Sequence, residues 1–142
     1  MANLTHLSII TPGTVKFEGD AELVVAPGAA GDLGALANHA PMLTTLRTGV
    51  VSATVVKVAT EKASTERLQF AVDGGFMQIL ADRVIILSDR ALSREEVDAE
   101  EARADLKRAE EALTQKRGAD DSQERRAVGW AQARLAITAR PV

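Results

Sequence analysis

The chain has 142 residues, 46% hydrophobic and 26% charged, with a formal net charge of −3 and no cysteine. These values fit one globular domain, or a compact domain with an appendage, and exclude disulfide frameworks and thiolate metal sites. Three Phe, one Trp and no Tyr, with a negative net charge, argue against a nucleic-acid-binding protein, because phosphates need basic patches and bases need aromatic platforms.

The first residues predict no targeting segment. Met1-Ala2-Asn3-Leu4 has neither the basic region nor the long apolar core of signal and transit peptides. No apolar stretch reaches the roughly 18 residues that a membrane-spanning helix needs. We therefore expect the chain to stay in the compartment where it is synthesised, and cytosolic residence fits best.

Up to about residue 89 the chain has the pattern of short β-strands. Leu68, Phe70 and Val72 are separated by single residues, which is the period of a half-buried strand. Residues 84–87 (Val-Ile-Ile-Leu) form a continuous apolar run, as expected of a strand covered on both faces. The other predicted strands are residues 7–10, 14–17, 23–26, 33–36, 42–46, 50–58 and 76–80.

Turn-forming residues separate these strands at regular intervals, for example residues 11–13 (Thr-Pro-Gly) and 73–75 (Asp-Gly-Gly). Short strands of this kind bury their apolar sides most simply as two antiparallel sheets packed face to face. We therefore predict that residues 1–90 form a β-sandwich of about ten antiparallel strands.

From about residue 91 the period changes to that of helices. Ser93 followed by Glu96 predicts a capping box at the start of a first helix, and Gly118 predicts its end. A narrow stripe of apolar residues follows at spacings of three and four, namely Ala99, Ala102, Leu106, Ala109 and Leu113. Residues 91–142 are therefore predicted to form an α-helical hairpin.

The second helix is predicted to begin at Asp120, Asp121 or Ser122, with Glu124 completing another capping pattern. It carries two apolar stripes with Arg134 between them. One stripe consists of Ala127, Val128, Ala131 and Leu135, and the other of Trp130, Ala133 and Ile137. One stripe serves the hairpin, and the other needs either the sandwich or a second protein, with Trp130 as the anchor of that contact.

No catalytic or metal-binding motif is recognisable. His6 and His39 lack the His-x-x-x-His spacing and have no neighbouring carboxylate cluster. There is also no nucleophile elbow, phosphate loop or dinucleotide fingerprint. We therefore predict a binding module with no catalytic residue, cofactor or metal ion. For His39 a loop histidine and an interface contact both stay open, and for Asp32 a turn cap and an exposed carboxylate.

The most distinctive segment is residues 31–44, Gly-Asp-Leu-Gly-Ala-Leu-Ala-Asn-His-Ala-Pro-Met-Leu-Thr. Gly31 and Gly34 permit positive φ, and Pro41 favours extended geometry at the residue before it. Nearly the whole chain resembles the epsilon subunit of bacterial F-type ATP synthases. The residues that carry this resemblance are 31–44 together with 7–12, 15–21, 24–28, 46–51, 70–79 and 84–89, in the same order.

This resemblance implies a non-catalytic subunit of the central rotor. Such a subunit couples rotation of the c-ring to the gamma subunit during proton-driven ATP synthesis, at the cytoplasmic face of the bacterial inner membrane, and contacts the membrane only through the complex. Position by position, Asp32 matches the acid that meets the c-ring. His39, Met42, Leu43 and Thr44 match the segment that lies against gamma.

The family's hairpin reaches the alpha/beta catalytic head in many members and blocks rotation there. In this chain residues 122–142 are basic, with Arg125, Arg126, Arg134 and Arg140 against Glu124 alone. A basic helix can meet an acidic partner. We therefore expect Arg125, Arg126 and Arg134, together with Trp130, to make the contacts of the hairpin, and an inhibitory role is one interpretation of them.

Some members bind ATP on the hairpin through Ile or Leu, Asp, two variable positions and Arg-Ala. Residues 97–102 of this chain read Val-Asp-Ala-Glu-Glu-Ala, so Glu101 stands where the phosphate-facing Arg would be. A carboxylate repels a phosphate group. We therefore expect no ATP binding at physiological concentrations.

Two other classes of protein stay open. A free-standing adaptor that presents a hairpin on a sandwich predicts a solitary monomer, whereas the rotor interpretation predicts copurification with gamma and the c-ring. A nucleotide-sensing regulatory module predicts measurable ATP affinity. A mitochondrial origin, where the equivalent subunit is called delta, is disfavoured because no transit peptide precedes the sandwich.

Overall fold

A computed structural model describes residues 3–59, 62–116 and 120–139 of the chain. The predicted helix end at Gly118 and Arg140 of the basic segment lie outside these residues. The strands are β1 Thr5–Thr11, β2 Thr14–Gly28, β3 Gly31–Leu36, β4 Met42–Leu46, β5 Gly49–Ala59, β6 Lys62–Val72, β7 Gly75–Leu80, β8 Arg83–Leu87 and β9 Ala91–Ser93. The helices are a single 3₁₀ turn at Arg94–Glu96, α1 Ala99–Gln115 and α2 Ser122–Thr138.

The long strand β2 belongs to both layers of the sandwich. Its first half pairs with β1, and its second half pairs with β3 and β5. One layer therefore runs β3, β2, β5, β6, β9, and the other runs β2, β1, β8, β7, β4. Register shifts in the ladders of β2 with β1 and with β5 mark irregularities of the kind that let a strand bend between layers.

The predicted β-sandwich is confirmed, and three details differ from the prediction. The segments predicted as two strands at 14–17 and 23–26 form the single strand β2. The pairing of β1 with β8 is parallel, so the sandwich is not wholly antiparallel. Strand β9 pairs with β6 and lies just past the predicted boundary at residue 90. It was not predicted, because three residues are too few to show a strand pattern.

The core between the two layers consists of aliphatic side chains from almost every strand. Leu7 and Ile9 of β1, Met77 of β7 and Val84 and Ile86 of β8 are fully buried there. Burial of one such side chain stabilises a fold by about 1.5–3 kcal/mol. Close packing of this kind makes the sandwich a stiff body that transmits strain rather than absorbing it.

The first helix begins later than predicted. The capping box of Ser93 and Glu96 forms, with the Ser93 amide donating to Glu96 Oε1 at 3.0 Å, but it caps only the 3₁₀ turn. Helix α1 begins at Ala99, where the Asp98 carboxylate accepts the amides of Glu100 and Glu101. Two strong capping signals five residues apart compete, and the one closer to the apolar stripe begins the longer helix.

The second helix begins at Ser122, within the predicted range, but without the predicted capping pattern. Asp121 occupies the cap position and its carboxylate turns to Arg125 Nε at 3.0 Å instead. The Asp120 carboxylate accepts the amide of Ser122 at 3.0 Å. Because the Asp121 side chain makes no capping hydrogen bond, Asp121 and Glu124 do not form the predicted capping box.

The sandwich covers the second apolar stripe of α2. Trp130, Ala133 and Ile137 form one buried cluster with Ala71 of β6, against which Val50, Leu92 and Val97 also pack. On the other side α2 packs along α1, with Ala102 and Ala109 of α1 buried. The hairpin therefore lies docked on the outer face of the β5 and β6 layer.

Candidate partner-binding surfaces

Asp32 lies on β3 with its side chain 71% exposed, and it forms an ion pair with Arg47. Arg47 is held in place because its Nε donates to the carbonyl oxygen of Gly28 at 2.9 Å. The Asp32 side chain is therefore an exposed carboxylate, which is one of its two predicted interpretations. Its arginine partner, fifteen residues away, is not signalled by the sequence.

Only one of the two glycines singled out in this segment needs its special backbone freedom. Gly31 has φ of +139°, and a Cβ on the facing Gly28 would lie 2.7 Å from the Gly31 carbonyl oxygen. Gly34 has no positive φ, and a Cβ there would make an ordinary 3.7 Å contact with Leu23. The positive φ falls on Asn38 instead, at +63°.

His39 is partly exposed and follows this left-handed residue. Its Nδ1 lies 2.7 Å from the carbonyl oxygen of Ala40, which can only accept, so Nδ1 donates. The hydrogen bonds found among the described residues bring no carboxylate or hydroxyl group to His39, and those residues contain no cluster that could hold a metal ion. The hydrogen bond of Nδ1 is that of a loop histidine, and Nε2 is the ring nitrogen that could contact a partner.

The predicted gamma-contacting segment divides between the two sides of β4. Leu43 lies opposite Gln78 and points outward, with 70% of its surface exposed. Met42 and Thr44 lie opposite Ile79 and Met77, which are core residues, so both belong to the inward side of the strand. Met42 is still 38% exposed because it begins the strand.

Leu43 is part of a larger apolar surface on the outer side of this layer. Phe76 of β7 lies opposite Leu87 of β8, and both are about half exposed. Ile85 lies opposite Gln78 on the same side, and Leu80 is two residues further along β7. We call Leu43, Phe76, Leu80, Ile85 and Leu87 the apolar face.

The apolar run at residues 84–87 indicated this surface, but the prediction interpreted it as a fully covered strand. Residues 84–87 were expected to lie in a strand covered on both faces. Val84 and Ile86 are fully buried in the core, but Leu87 is 48% exposed and Ile85 is half-buried. No described element of this chain packs over the outer side, so a strand that is apolar on both sides has one side left for a partner.

The hairpin residues predicted to make contacts lie in different environments. Trp130 is only 5% exposed, with the guanidinium carbon of Arg90 4.5 Å from its ring centroid and that of Arg134 at 5.4 Å. Arg134 is also buried, and its Nη1 donates to Asp105 at 3.0 Å. Arg125 is exposed and pairs within its own helix. Trp130 and Arg134 are therefore internal contacts in this docked state.

Arg126 reaches from α2 to the sandwich and donates to the buried Asp73. Burial alone would raise the pKa of Asp73, but hydrogen bonds from Arg126, Arg90 and Thr48 outweigh it and hold the pKa below its ordinary value. For Asp105, burial likewise raises the pKa, but the hydrogen bonds and positive charges of Arg134 and Arg108 together outweigh it and hold the pKa below its ordinary value. Sequence reasoning identified Asp73 only as a turn residue.

The described residues form a β-sandwich with a docked helical hairpin and one exposed apolar face, an arrangement that suits a subunit binding a partner protein. No helix among the described residues is both long and apolar enough to cross a bilayer. The family model for the β-sandwich domain of the ATP synthase delta/epsilon chain matches residues 4–94.

Curated relatives extend this match over the hairpin. The ATP synthase epsilon chain of Moorella thermoacetica is 42% identical over 136 residues, which cover 95% of this chain and 96% of that protein. The ATP synthase epsilon chain of Desulforamulus reducens is 37% identical over 116 residues, 82% of each. The chain belongs to the ATP synthase delta/epsilon family, which confirms the resemblance and the assignment to a non-catalytic subunit.

Two solved structures share the fold. A cryo-EM structure of the Euglena gracilis mitochondrial ATP synthase, described as OSCP/F1/c-ring in rotational state 1, has a chain with a TM-score of 0.73 and 20% identity, covering 94% of this chain and 81% of that one. The central stalk/c-ring structure of the Tetrahymena thermophila mitochondrial ATP synthase gives 0.55 and 16%, covering 94% and 92%.

Proposed function

We propose that this chain is the epsilon subunit of the central stalk of a bacterial proton-translocating ATP synthase, at the cytoplasmic face of the inner membrane. It binds the gamma subunit and the c-ring and couples rotation between them. Its hairpin contacts the alpha/beta catalytic head and inhibits ATP hydrolysis when it leaves the sandwich. The family membership supports the first of these statements, and the surfaces of the chain support the others.

The observation that carries this proposal is the apolar face. It includes Leu43, from the segment expected to lie against gamma, and it adds four apolar side chains from β7 and β8. An open groove of about 730 Å³ adjoins it, lined by Phe76 and Leu87, by polar groups from the turns beside them and by Arg126 of α2. Large side chains on a rigid sheet, with a polar margin, fit a stable protein partner.

Reconstitution tests the coupling function directly. Synthase stripped of this chain should hydrolyse ATP without pumping protons into vesicles, and adding the chain back should restore pumping. Synthase that pumps equally well in its absence would contradict the proposal. The adaptor alternative predicts no effect of the chain on pumping.

Charge reversal at Asp32 tests the c-ring contact. Asp32→Lys removes a carboxylate and places a second cation beside Arg47, so it should weaken c-ring association by about tenfold, and more at low salt. The matched control is Glu111→Lys, because Glu111 is exposed on α1. The measurement is retention of the c-ring on a tagged chain. Equal retention by both variants would remove Asp32 from the c-ring contact.

A reversible lock tests the inhibitory role of the hairpin. A Cβ built on Gly129 of α2 lies 3.7 Å from Thr48 Cβ, close to the roughly 3.8 Å between the two Cβ atoms of a disulfide. Because the chain has no cysteine, Thr48→Cys with Gly129→Cys forms one defined pair. Oxidation should fix the hairpin on the sandwich and raise ATP hydrolysis several-fold, and reduction should reverse the rise.

The control for the lock is each single cysteine variant under the same oxidant. A deletion of residues 98–142, which keeps β9 and the 3₁₀ turn, should raise hydrolysis to the same extent. If oxidation of the paired variant leaves hydrolysis unchanged, the hairpin does not inhibit.

The nucleotide-sensing alternative has less support. The Asp98 carboxylate already accepts the first amides of α1. A cleft beside Trp130 is lined by Arg90, Arg108 and Arg134, but each pairs with the carboxylate of Asp73 or Asp105. An incoming phosphate would have to displace these carboxylates.

A further inference from the structure

Asp73 is the buried acid at the junction of sandwich and hairpin, only 3% exposed at the end of β6. Its Oδ2 accepts Arg90 Nη2 at 2.7 Å and Nε at 3.0 Å. Its Oδ1 accepts Thr48 Oγ1 and Arg126 Nε, both at 2.8 Å. Both carboxylate oxygens are therefore fully used in the docked state.

Three of these four hydrogen bonds come from the sandwich itself, and only Arg126 comes from the hairpin. If α2 leaves, Asp73 keeps Thr48 and Arg90, so no buried charge is left without a partner. An unpaired buried carboxylate would oppose release strongly. Three of the four hydrogen bonds to the Asp73 carboxylate therefore do not depend on the hairpin.

Arg126 fits this arrangement through more than one nitrogen. Its Nη2 donates to the backbone carbonyl oxygen of Asp73 at 3.1 Å and to Asp89 Oδ2 at 3.3 Å, while its Nε donates to the Asp73 carboxylate. A planar guanidinium group can reach these oxygens together, whereas a lysine ammonium group is a point charge. Gly74, with φ of +69°, forms the turn beside Arg126 Nη2.

We propose that Asp73, Thr48, Arg90 and Asp89 form a preformed guanidinium-binding site on the sandwich, and that Arg126 is the ligand that holds the hairpin docked. We call these four residues the guanidinium site. It deepens the regulatory role proposed for the hairpin and rests on that role for its biological purpose. The same Arg90 also lies over the ring of Trp130, so ligand binding and apolar docking share one residue.

The chain supplies its own reporter and its own matched control. Trp130 is the sole tryptophan and there is no tyrosine, so intrinsic fluorescence reports the docking of α2 alone. Arg125 is the neighbouring arginine, but it pairs with Asp121 at the cap of its own helix. Arg125→Ala therefore removes an equal charge without touching the guanidinium site.

The test compares variants of the full chain in solution by acrylamide quenching of Trp130 and by hydrogen exchange of α2. Arg126→Ala should lower the docking equilibrium constant by about tenfold and make Trp130 more accessible, because it removes charge-assisted hydrogen bonds. Arg126→Lys should fall between Arg126→Ala and the wild type, and Arg125→Ala should match the wild type. Equal behaviour of Arg126→Ala and Arg125→Ala would overturn the site.

Asp73→Asn provides the second arm. It should loosen the hairpin. Combining it with Arg126→Ala should add little, because both changes remove the same ion pair between Asp73 and Arg126. Fully additive effects would also overturn the site. If Asp73→Asn unfolds the sandwich, hydrogen exchange of β1–β9 will show it, and the arginine variants still decide.

Failure of the guanidinium site can be told apart from failure of the rotor function. Fluorescence and hydrogen exchange read hairpin docking in the isolated chain, whether or not gamma is its partner. In assembled synthase, gamma binding rests on the apolar face, and Arg126 is not one of its five residues. Loss of gamma binding from the wild-type chain would contradict only the rotor function.

Discussion

Replacing Phe76 by Glu is expected to abolish binding of the gamma subunit while the sandwich stays folded. Phe76 is half exposed and is the aromatic side chain of the apolar face, between Thr45 on β4 and Leu87 on β8. An aromatic side chain that anchors an interface contributes at least about 2 kcal/mol, and a buried unpaired carboxylate adds a desolvation cost. Affinity for purified gamma should fall by about 100-fold or more.

The matched control for this change is Leu36→Glu. Leu36 is 59% exposed on β3, which belongs to the other layer, so it accepts the same charge away from the apolar face. Leu36→Glu should bind gamma as the wild type does, and both variants should keep the unfolding temperature of the sandwich. If the two variants lose gamma equally, or neither does, the apolar face is not the gamma-binding surface.

The second large effect is expected for Trp130→Ala, which should release the hairpin from the sandwich. Trp130 is buried against Ala71, Ala133 and Ile137. Truncation of a buried aromatic side chain costs about 3–5 kcal/mol, which exceeds the contribution of one charge-assisted hydrogen bond. Amide exchange in α1 and α2 should therefore accelerate far more than exchange in the strands.

Gln132→Ala is the control for Trp130→Ala, because Gln132 is exposed on the same helix. This control should leave exchange in both helices unchanged. Uniform acceleration throughout Trp130→Ala would mean that the whole chain loses stability, and unchanged exchange in α2 would mean that Trp130 does not anchor the hairpin. Either result would contradict the docking contact.

The strands and the hairpin could be predicted because their signals are local. Alternation in residues 68–72 and the three- and four-residue spacings from Ala99 onwards each lie within one element. The parallel pairing of β1 with β8 joins residues almost eighty positions apart, and no local pattern encodes it. The start of α1 was misplaced because the signals at Ser93 and Asp98 are equally strong in sequence.

The sequence could predict the part of a candidate surface that lies within one segment, but not the parts that come together from several strands. Leu43 lies in the motif that carried the resemblance, whereas Phe76 and Leu87 join it only through pairing across β7. Asp73 looks like any acid before two glycines, and its partner Arg126 is fifty-three residues away. Long-range ion pairs depend on packing that only the folded chain defines.

Affinity purification of the tagged full chain from native membranes tests the central claim most directly. Gamma and the c-ring should elute with the wild-type chain, and gamma should be lost from Phe76→Glu but retained by Leu36→Glu. A wild-type chain that elutes alone, without gamma or the c-ring, would contradict its place in the rotor.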